Sequence, residues 1–427
     1  MMRQVKAMYG LVLLMIIGLL LTVASFSWGN EMEKPDTMAD DSGIASEAVP
    51  DVLGLLRDLD VSTQLQTSPD IAWNQNCDKF LVVYDKRTLL DNNIWGRYVS
   101  GLGENGAGPF LMTPNAMNQL NPAVAYNEAG NNYLVVWQDD RDGNAEIYAQ
   151  LWNCQKLSVN KPVRITNAKS YSVNPDVVCG YNHGHPMCWV VWEDFRDGNW
   201  EIYGQRLNSA GALVGGNIRL TNNASIQRSP AIASNPENTG CNPDGTFFVV
   251  WHDNRNSRIG NGYDIWGQQL DNVGPCGLNV AVLEGIKDQM EPDIAYGTVN
   301  DRYQVVWQDN RAGKWDIFGR MVLPNGLAAT ARFPISLLAN SQIKPAIAYD
   351  MNTNNEFLTV WQDMSAGNYA IRGRRTSGLG APGGIFMINN GPSDESDAAV
   401  AYGATSDRYF TVWQDAVNGI RGRAFWP

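Results

Sequence analysis

Carboxylate and guanidinium groups recur at fixed spacing in this chain. Asp139, Arg141 and Glu146 form one set; Asp194, Arg196 and Glu201 repeat it, as do Asp253, Arg255 and Asp264, and Asp309, Arg311 and Asp316. Asp85, Asp363 and Asp415 extend the leading Asp to seven copies, and Arg87 gives a fifth Arg. A ring of carboxylates suits Ca2+, which prefers oxygen ligands. The Arg two residues away argues instead for an ion pair that braces a turn. The first unit has Asn93 where the second acid stands elsewhere. Units six and seven lack both Arg and acid, having Ser365 and Ala370 in one and Val417 with a shortened turn in the other. In both, an Arg follows the next Ile (Arg372, Arg421) and can reach Asp363 or Asp415 from another side. Joint loss of Arg and acid fits a structural pair, so no cofactor is expected and Ca2+ is the alternative. A catalytic residue rarely occurs in seven copies.

His183 and His185 lie between Cys179 and Cys188, a set of thiols and imidazoles that zinc could use. A disulfide-closed hairpin with two surface His is the simpler expectation, so no metal is assigned. His252 stands where four other units have Gln and is expected to pack. Signatures of a serine hydrolase, a zinc protease, a phosphate-binding loop or haem attachment are missing, and three His make a Ser-His-Asp triad improbable. A carboxylate-pair glycosidase stays open, since acids are plentiful and their separation cannot be read from sequence.

These residues sit in a repeat, V-V-W-x-D-x-R-x-G-x-x-[DE]-I-[YFW]-G, clearest at 303–319. A short apolar run, a polar Gly-containing turn and a second short run make a β-hairpin. The anchor aromatic falls at Tyr84, Trp137, Trp192, Trp251, Trp307, Trp361 and Trp413, spaced by 52 to 59 residues. A strand opening on Pro precedes each hairpin (Pro69, Pro122, Pro175, Pro230, Pro292, Pro345; the seventh, at Asp397–Ala401, lacks it), and a fourth apolar run follows. Four strands in about 54 residues is one blade of a β-propeller. The expected fold is all-β, a seven-bladed propeller over 61–427. The last unit stops at its third strand, so a strand at Asp60–Leu65 is expected to complete it and close the ring.

The repeat resembles those of TolB-like β-propellers of bacterial and archaeal surface and periplasmic proteins. The resemblance covers about Val61 to Pro427 and implies the fold. It also implies a scaffold for protein or glycan contacts more than an activity.

Composition agrees with a turn-rich β protein: 44% hydrophobic residues, 18% charged, 41 Gly. The net charge of −12, with no Lys/Arg run, excludes a nucleic-acid backbone as partner. Residues 1–29 (Arg3 and Lys6, then an apolar run from Leu11 to Val23 and small residues) have the pattern of a secretory signal peptide; uncleaved, they would anchor the chain in a membrane. Residues 30–60 are acidic and are expected to form a linker, with a short helix near Val52–Leu59. Six Cys in an exported chain suggest disulfides. On the blade frame they pair as Cys179–Cys188, Cys241–Cys276 and, by elimination, Cys77–Cys154. The longest hairpin turn, in the fourth unit, is the candidate binding loop through Arg258, Asn261 and Tyr263. Trp200 and Trp315 could stack on sugar rings.

The leading functional expectation is an exported binding or assembly scaffold at the cell surface or periplasm, its partner a protein or glycan of the envelope. The alternatives are a glycan-active hydrolase or lyase on the same frame and an accessory subunit decorating a larger assembly. An enzyme requires non-repeated polar residues converging at the channel mouth; a scaffold requires a near-symmetric channel without such a cluster.

Overall fold

β-Branched and aromatic residues favour a pleated, packed surface, and the runs ending in Trp are apolar on both faces. In the computed structural model each run is the second strand of a four-stranded antiparallel sheet, covered on both sides by the neighbouring sheets. Residues 53–182, 185–236, 246–256, 262–352, 354–364 and 367–426 are described, the side chains of 181, 182 and 185 excepted. They belong to the compact unit Ala45–Pro427. Among them, seven four-stranded sheets follow one another in chain order as blades 1 to 7. The anchor aromatics Tyr84, Trp137, Trp192, Trp251, Trp307, Trp361 and Trp413 are all fully buried between blades. Clusters such as Leu81, Val83, Val124, Val135 and Trp137 join one blade to the next.

The last blade is completed from the N-terminal end, but not where the sequence pointed. Leu53–Asp60, not Asp60–Leu65, pairs antiparallel with Gly419–Phe425. The same eight residues replace the expected helix and the end of the expected linker. A short helix is marginal on its own, whereas the open edge of Gly419–Phe425 offers a ladder of backbone partners. The register is pinned by Asp60, whose carboxylate accepts the Tyr84 hydroxyl at 2.8 Å and the Lys86 ammonium at 2.9 Å.

That pair exposes a second correction. Strand register aligns Lys86, not Asp85, with Asp139: Gln66 faces Lys86 as Gln119 faces Asp139. The first blade thus carries a cation where the others carry the carboxylate, and Asp60 supplies the acid from the closing strand. Asp85 sits one residue earlier, and Arg87 is exposed.

Disulfides join Cys77 to Cys154, linking blades 1 and 2, and Cys179 to Cys188, across one hairpin. Cys241 lies outside the described residues, and with it the expected Cys241–Cys276 pair. The expectations for 1–29 and for His183 also fall outside.

Candidate functional site

The hairpin carboxylates are held as ion pairs. Arg141 pairs with Asp139 at 2.5 Å, Arg196 with Asp194 at 2.6 Å, Arg255 with Asp253 at 2.5 Å and Arg311 with Asp309 at 2.5 Å. Each Asp also accepts the indole N–H of its own anchor Trp. Each guanidinium lies over the aromatic ring that follows Ile on the third strand: Tyr148, Tyr203, Trp266 or Phe318. In blades 6 and 7 that aromatic is replaced by Arg372 and Arg421, which pair with Asp363 and Asp415. The second acids are not partners of these Arg. Glu146 pairs with Arg164 and Glu201 with Arg219, both from fourth strands. Asp316 takes Lys314, and Asp264 takes Asn256 and the Gly285 N–H. Among the described residues, no group of three or more His, Cys, Asp or Glu is placed to hold a metal ion.

Polar groups converge elsewhere, around the central channel. Each blade's inner strand is bulged at the same place, just before the Pro in blades 1 to 6 and before Ala398 in blade 7. The bulge puts one residue per blade in the left-handed region, with φ from 48 to 51°: Ser68, Asn121, Asn174, Ser229, Glu291, Lys344 and Asp397. A bulge re-aims a side chain, and here the Ser68-to-Lys344 members of the series, Asp397 excepted, line one cavity of about 680 Å3. Asn and Asp adopt this conformation readily, but Glu and Lys do so rarely. Glu291 and Lys344 hold it because the bulge recurs in every blade.

The repeat breaks down at this ring. In several blades the residue after the anchor aromatic accepts the backbone N–H of the next blade's ring member, as Asp85 does for Asn121 at 3.4 Å. Gln308 does so for Lys344 at 2.9 Å and Gln362 for Asp397 at 3.1 Å. Between blades 3 and 5 the Gln is replaced by chemistry. Glu193, 1% exposed, accepts the Ser229 N–H at 2.9 Å, the Asn174 side-chain amide at 3.0 Å and the Arg228 guanidinium at 2.8 Å. Arg228 in turn lies 4.8 Å over the Trp200 ring. His252 accepts the Glu291 N–H on Nδ1 at 3.4 Å, leaving Nε2 to carry its proton. Burial and the Arg228 charge push the His252 pKa down to about 3, so its imidazole is neutral at ordinary pH. The Glu291 carboxyl bonds the Ser229 hydroxyl at 3.2 Å, and burial raises its pKa. Tyr263 stands edge-on to His252 at 4.9 Å and lines the same cavity. Arg258 and Asn261 of that turn lie outside the described residues.

One step down the channel, three carboxyls alternate with Ala. Asp70, Asp176 and Asp293 follow Pro in blades 1, 3 and 5; Ala123, Ala231, Ala346 and Ala399 hold the position in the others. Each Asp accepts two backbone N–H groups, one from its own strand and one from the next blade. Asp176 takes Val177 at 2.7 Å and Ile232 at 2.8 Å, Asp293 takes Ile294 and Ile347 at 2.8 Å, and Asp70 takes Ile71 and, at 2.7 Å, Val124. The side chains are half-buried and line the channel. Burial raises Asp70 to about 7, Asp293 to about 6 and Asp176 to about 8, the last also pushed by the charges of Asp70 and Asp293.

A carboxyl that binds its proton more tightly when folded favours the fold at low pH and loses that advantage as pH rises through its folded pKa. These three groups are expected to make the propeller less stable as pH rises from about 4 to about 8. Asp176→Ala, which copies blades 2, 4, 6 and 7, is expected to flatten that slope in thermal melts across pH. Superimposable pH profiles of the two proteins would contradict this.

The pairs that stood out in sequence are structural in their contacts, and the channel cluster was missed. Its signal was present in the residue before each Pro and in the Asp/Ala alternation after it. His252, expected to pack, both packs and lines the cavity.

No family model matches the sequence, and no curated protein does either. Among solved structures the chain is similar to a leech intramolecular trans-sialidase complexed with 2,7-anhydro-Neu5Ac. Identity there is 9%, over 87% of this chain and 70% of that one, with a TM-score of 0.51. It is also similar to the intramolecular trans-sialidase from Ruminococcus gnavus (8% identity, 87% and 97% covered, TM-score 0.49) and to the Dos1 propeller (8%, 87% and 95%, 0.48). At such identity the likeness is one of fold: the chain is a seven-bladed β-propeller, all-β, with its N-terminal strand closing the last blade.

Proposed function

We propose that the chain is a glycan-active propeller, a hydrolase or lyase, whose site is the channel mouth between blades 3 and 6. One observation carries this reading. A sevenfold backbone ring bears a one-sided, non-repeated cluster of Glu193, Arg228, His252, Tyr263, Glu291 and Lys344 beside a cavity of about 680 Å3. A scaffold has no need of such asymmetry, so the site favours the catalytic alternative over the expected scaffold.

Cleavage of a glycosidic bond needs one carboxyl that holds a proton and one that is charged. Glu291, its pKa raised by burial, suits the proton donor. Glu193, paired with Arg228, suits the base or nucleophile. Both bond the same residue, Ser229: Glu193 accepts its N–H and Glu291 its hydroxyl. Tyr263 offers a ring for sugar stacking. Two disulfides support export, where such substrates are met. The TolB-like resemblance is compatible with this placement and adds no chemistry to it.

The test is incubation of the purified chain with a panel of polysaccharides and assay of released reducing ends and unsaturated products. Turnover of at least one is expected. Tight glycan or protein binding without turnover, unaffected by substitution of Glu193 and Glu291, would support the scaffold instead.

A further inference from the structure

A sugar ring has an apolar face and a polar rim, so a site for a glycan sets aromatic rings beside a few charged or amide groups. Aromatic residues recur at one position of this propeller, on one side of it. The position lies just before the residue that faces the hairpin Asp (Lys86 in blade 1). It holds Trp200 in blade 3, Tyr263 in blade 4, Trp315 in blade 5 and Tyr369 in blade 6. In blades 7, 1 and 2 it holds Asn418, Asn92 and Ala145. It opens the third strand, at the same end of the blade as the bulge of the inner strand. All four aromatics are half-buried. Blades 1 and 2 pack on each other without one, so closing a seam does not require it.

Each aromatic is tied to the inner strand of the following blade. The carbonyls of Trp200, Tyr263 and Trp315 accept the N–H groups of Gln227, Gln289 and Gln342 at 3.0, 2.7 and 2.8 Å. Those Gln stand two residues before Ser229, Glu291 and Lys344. Tyr369 donates its own N–H to Asp394 at 2.9 Å, as Tyr263 does to Asp288 at 3.2 Å. Asp394 stands three residues before Asp397, and Asp288 three before Glu291. The arc of aromatics thus follows the arc in which the channel mouth becomes charged. The Arg228 guanidinium lies over the Trp200 ring, and Tyr263 lines the larger cavity. A second cavity of about 290 Å3 shares Glu291 and Lys344 with the first and continues to Asp397.

We infer that Trp200, Tyr263, Trp315 and Tyr369 form a crescent of stacking platforms along which a glycan chain of several sugars lies. The charged groups on its inner side, Arg228, Glu291, Lys344 and Asp397, take the hydroxyl groups of the sugar rims. The substrate class is then an internal stretch of a polysaccharide and not a single terminal sugar. The crescent rests on the reading of the channel mouth as a glycan site, but not on turnover.

The experiment applies the full chain to an array of immobilised polysaccharide fragments graded from disaccharide to hexasaccharide. Fragments that bind are then titrated by calorimetry and assayed for cleavage. The hexasaccharide is expected to bind about tenfold or more tighter than the disaccharide of the same series. Trp315→Asn and Tyr369→Asn, which copy blades 1 and 7, are each expected to remove most of that gain and to leave disaccharide affinity unchanged. Either variant suffices if the other does not fold. No binding to any fragment, equal binding of disaccharide and hexasaccharide, or an undiminished gain with length in a folded variant would overturn the crescent. A gain with length that the variants abolish, without cleavage of any fragment, overturns the hydrolase or lyase reading and leaves the crescent standing. Cleavage of disaccharide and hexasaccharide with equal kcat/KM does the reverse.

Discussion

Replacing Asp194 with Ala is expected to lower stability by about 3 kcal/mol, read as a shifted urea midpoint. The carboxylate is fully buried and takes the Arg196 guanidinium, the Trp192 indole N–H and the Ser172 hydroxyl. Its removal strands a buried indole donor and a hydroxyl. Arg196, about a quarter exposed, can still reach water, which keeps the cost below that of a wholly buried pair. Burial alone would raise the Asp194 pKa; the Arg196 and Trp192 bonds outweigh it and hold the group below its ordinary value. A depressed carboxylate stabilises the fold above its unfolded pKa and gives that up as pH falls through the folded one. The Asp194→Ala deficit is therefore expected to shrink in strong acid. Arg87→Ala serves as control. Arg87 is exposed and out of register with Arg196, so its loss is expected to change stability by less than about 0.5 kcal/mol. Equal losses from the two substitutions would mean that the first blade shares the pair after all.

The second large effect is on chemistry. Glu193→Gln and Glu291→Gln are each expected to lower kcat on a cleaved glycan by about a thousandfold. Both keep the side chain's shape, so melting temperatures should move little by comparison. For Glu291→Gln the pH profile should also lose the limb set by its raised carboxyl. Asp316→Asn, removed from the channel, is expected to leave turnover unchanged. If Asp316→Asn lowers kcat as far as either channel variant does, the two glutamates have no special place in the reaction.

The fold was legible because one hairpin recurs in phase. An apolar run ending in an aromatic and followed by a polar turn needs no neighbour to be recognised, and seven such runs at near-constant spacing imply a closed ring. The closing strand was harder to place. Leu53–Asp60 has an ambiguous local pattern, and its register is set by the edge of Gly419–Phe425 and by Tyr84 and Lys86, far away in sequence. The misreading of Asp85 has a similar origin. Asp-Lys-Arg at 85–87 imitates the motif one residue early, and only pairing of Gln66 with Lys86 shows the slip.

The channel cluster was illegible for a different reason. Ser229, Glu291 and Lys344 are ordinary polar residues before Pro, more than 50 residues apart. What joins them is a bulge repeated in each inner strand and the closure of the ring around a common axis. The Asp/Ala alternation needed the same closure before it became three carboxyls sharing six N–H groups. Repetition hid the site, since attention went to what recurs, while the chemistry lies where equivalent positions differ.

The measurement that bears most directly on the channel mouth as a glycan site is oligosaccharide binding to the wild-type chain, to Glu291→Gln and to Tyr263→Ala, followed by calorimetry. One oligosaccharide bound per chain, retained by Glu291→Gln and weakened about tenfold or more by Tyr263→Ala, is the expected result. Glycan binding that Tyr263→Ala leaves untouched, or no glycan binding at all, would contradict it.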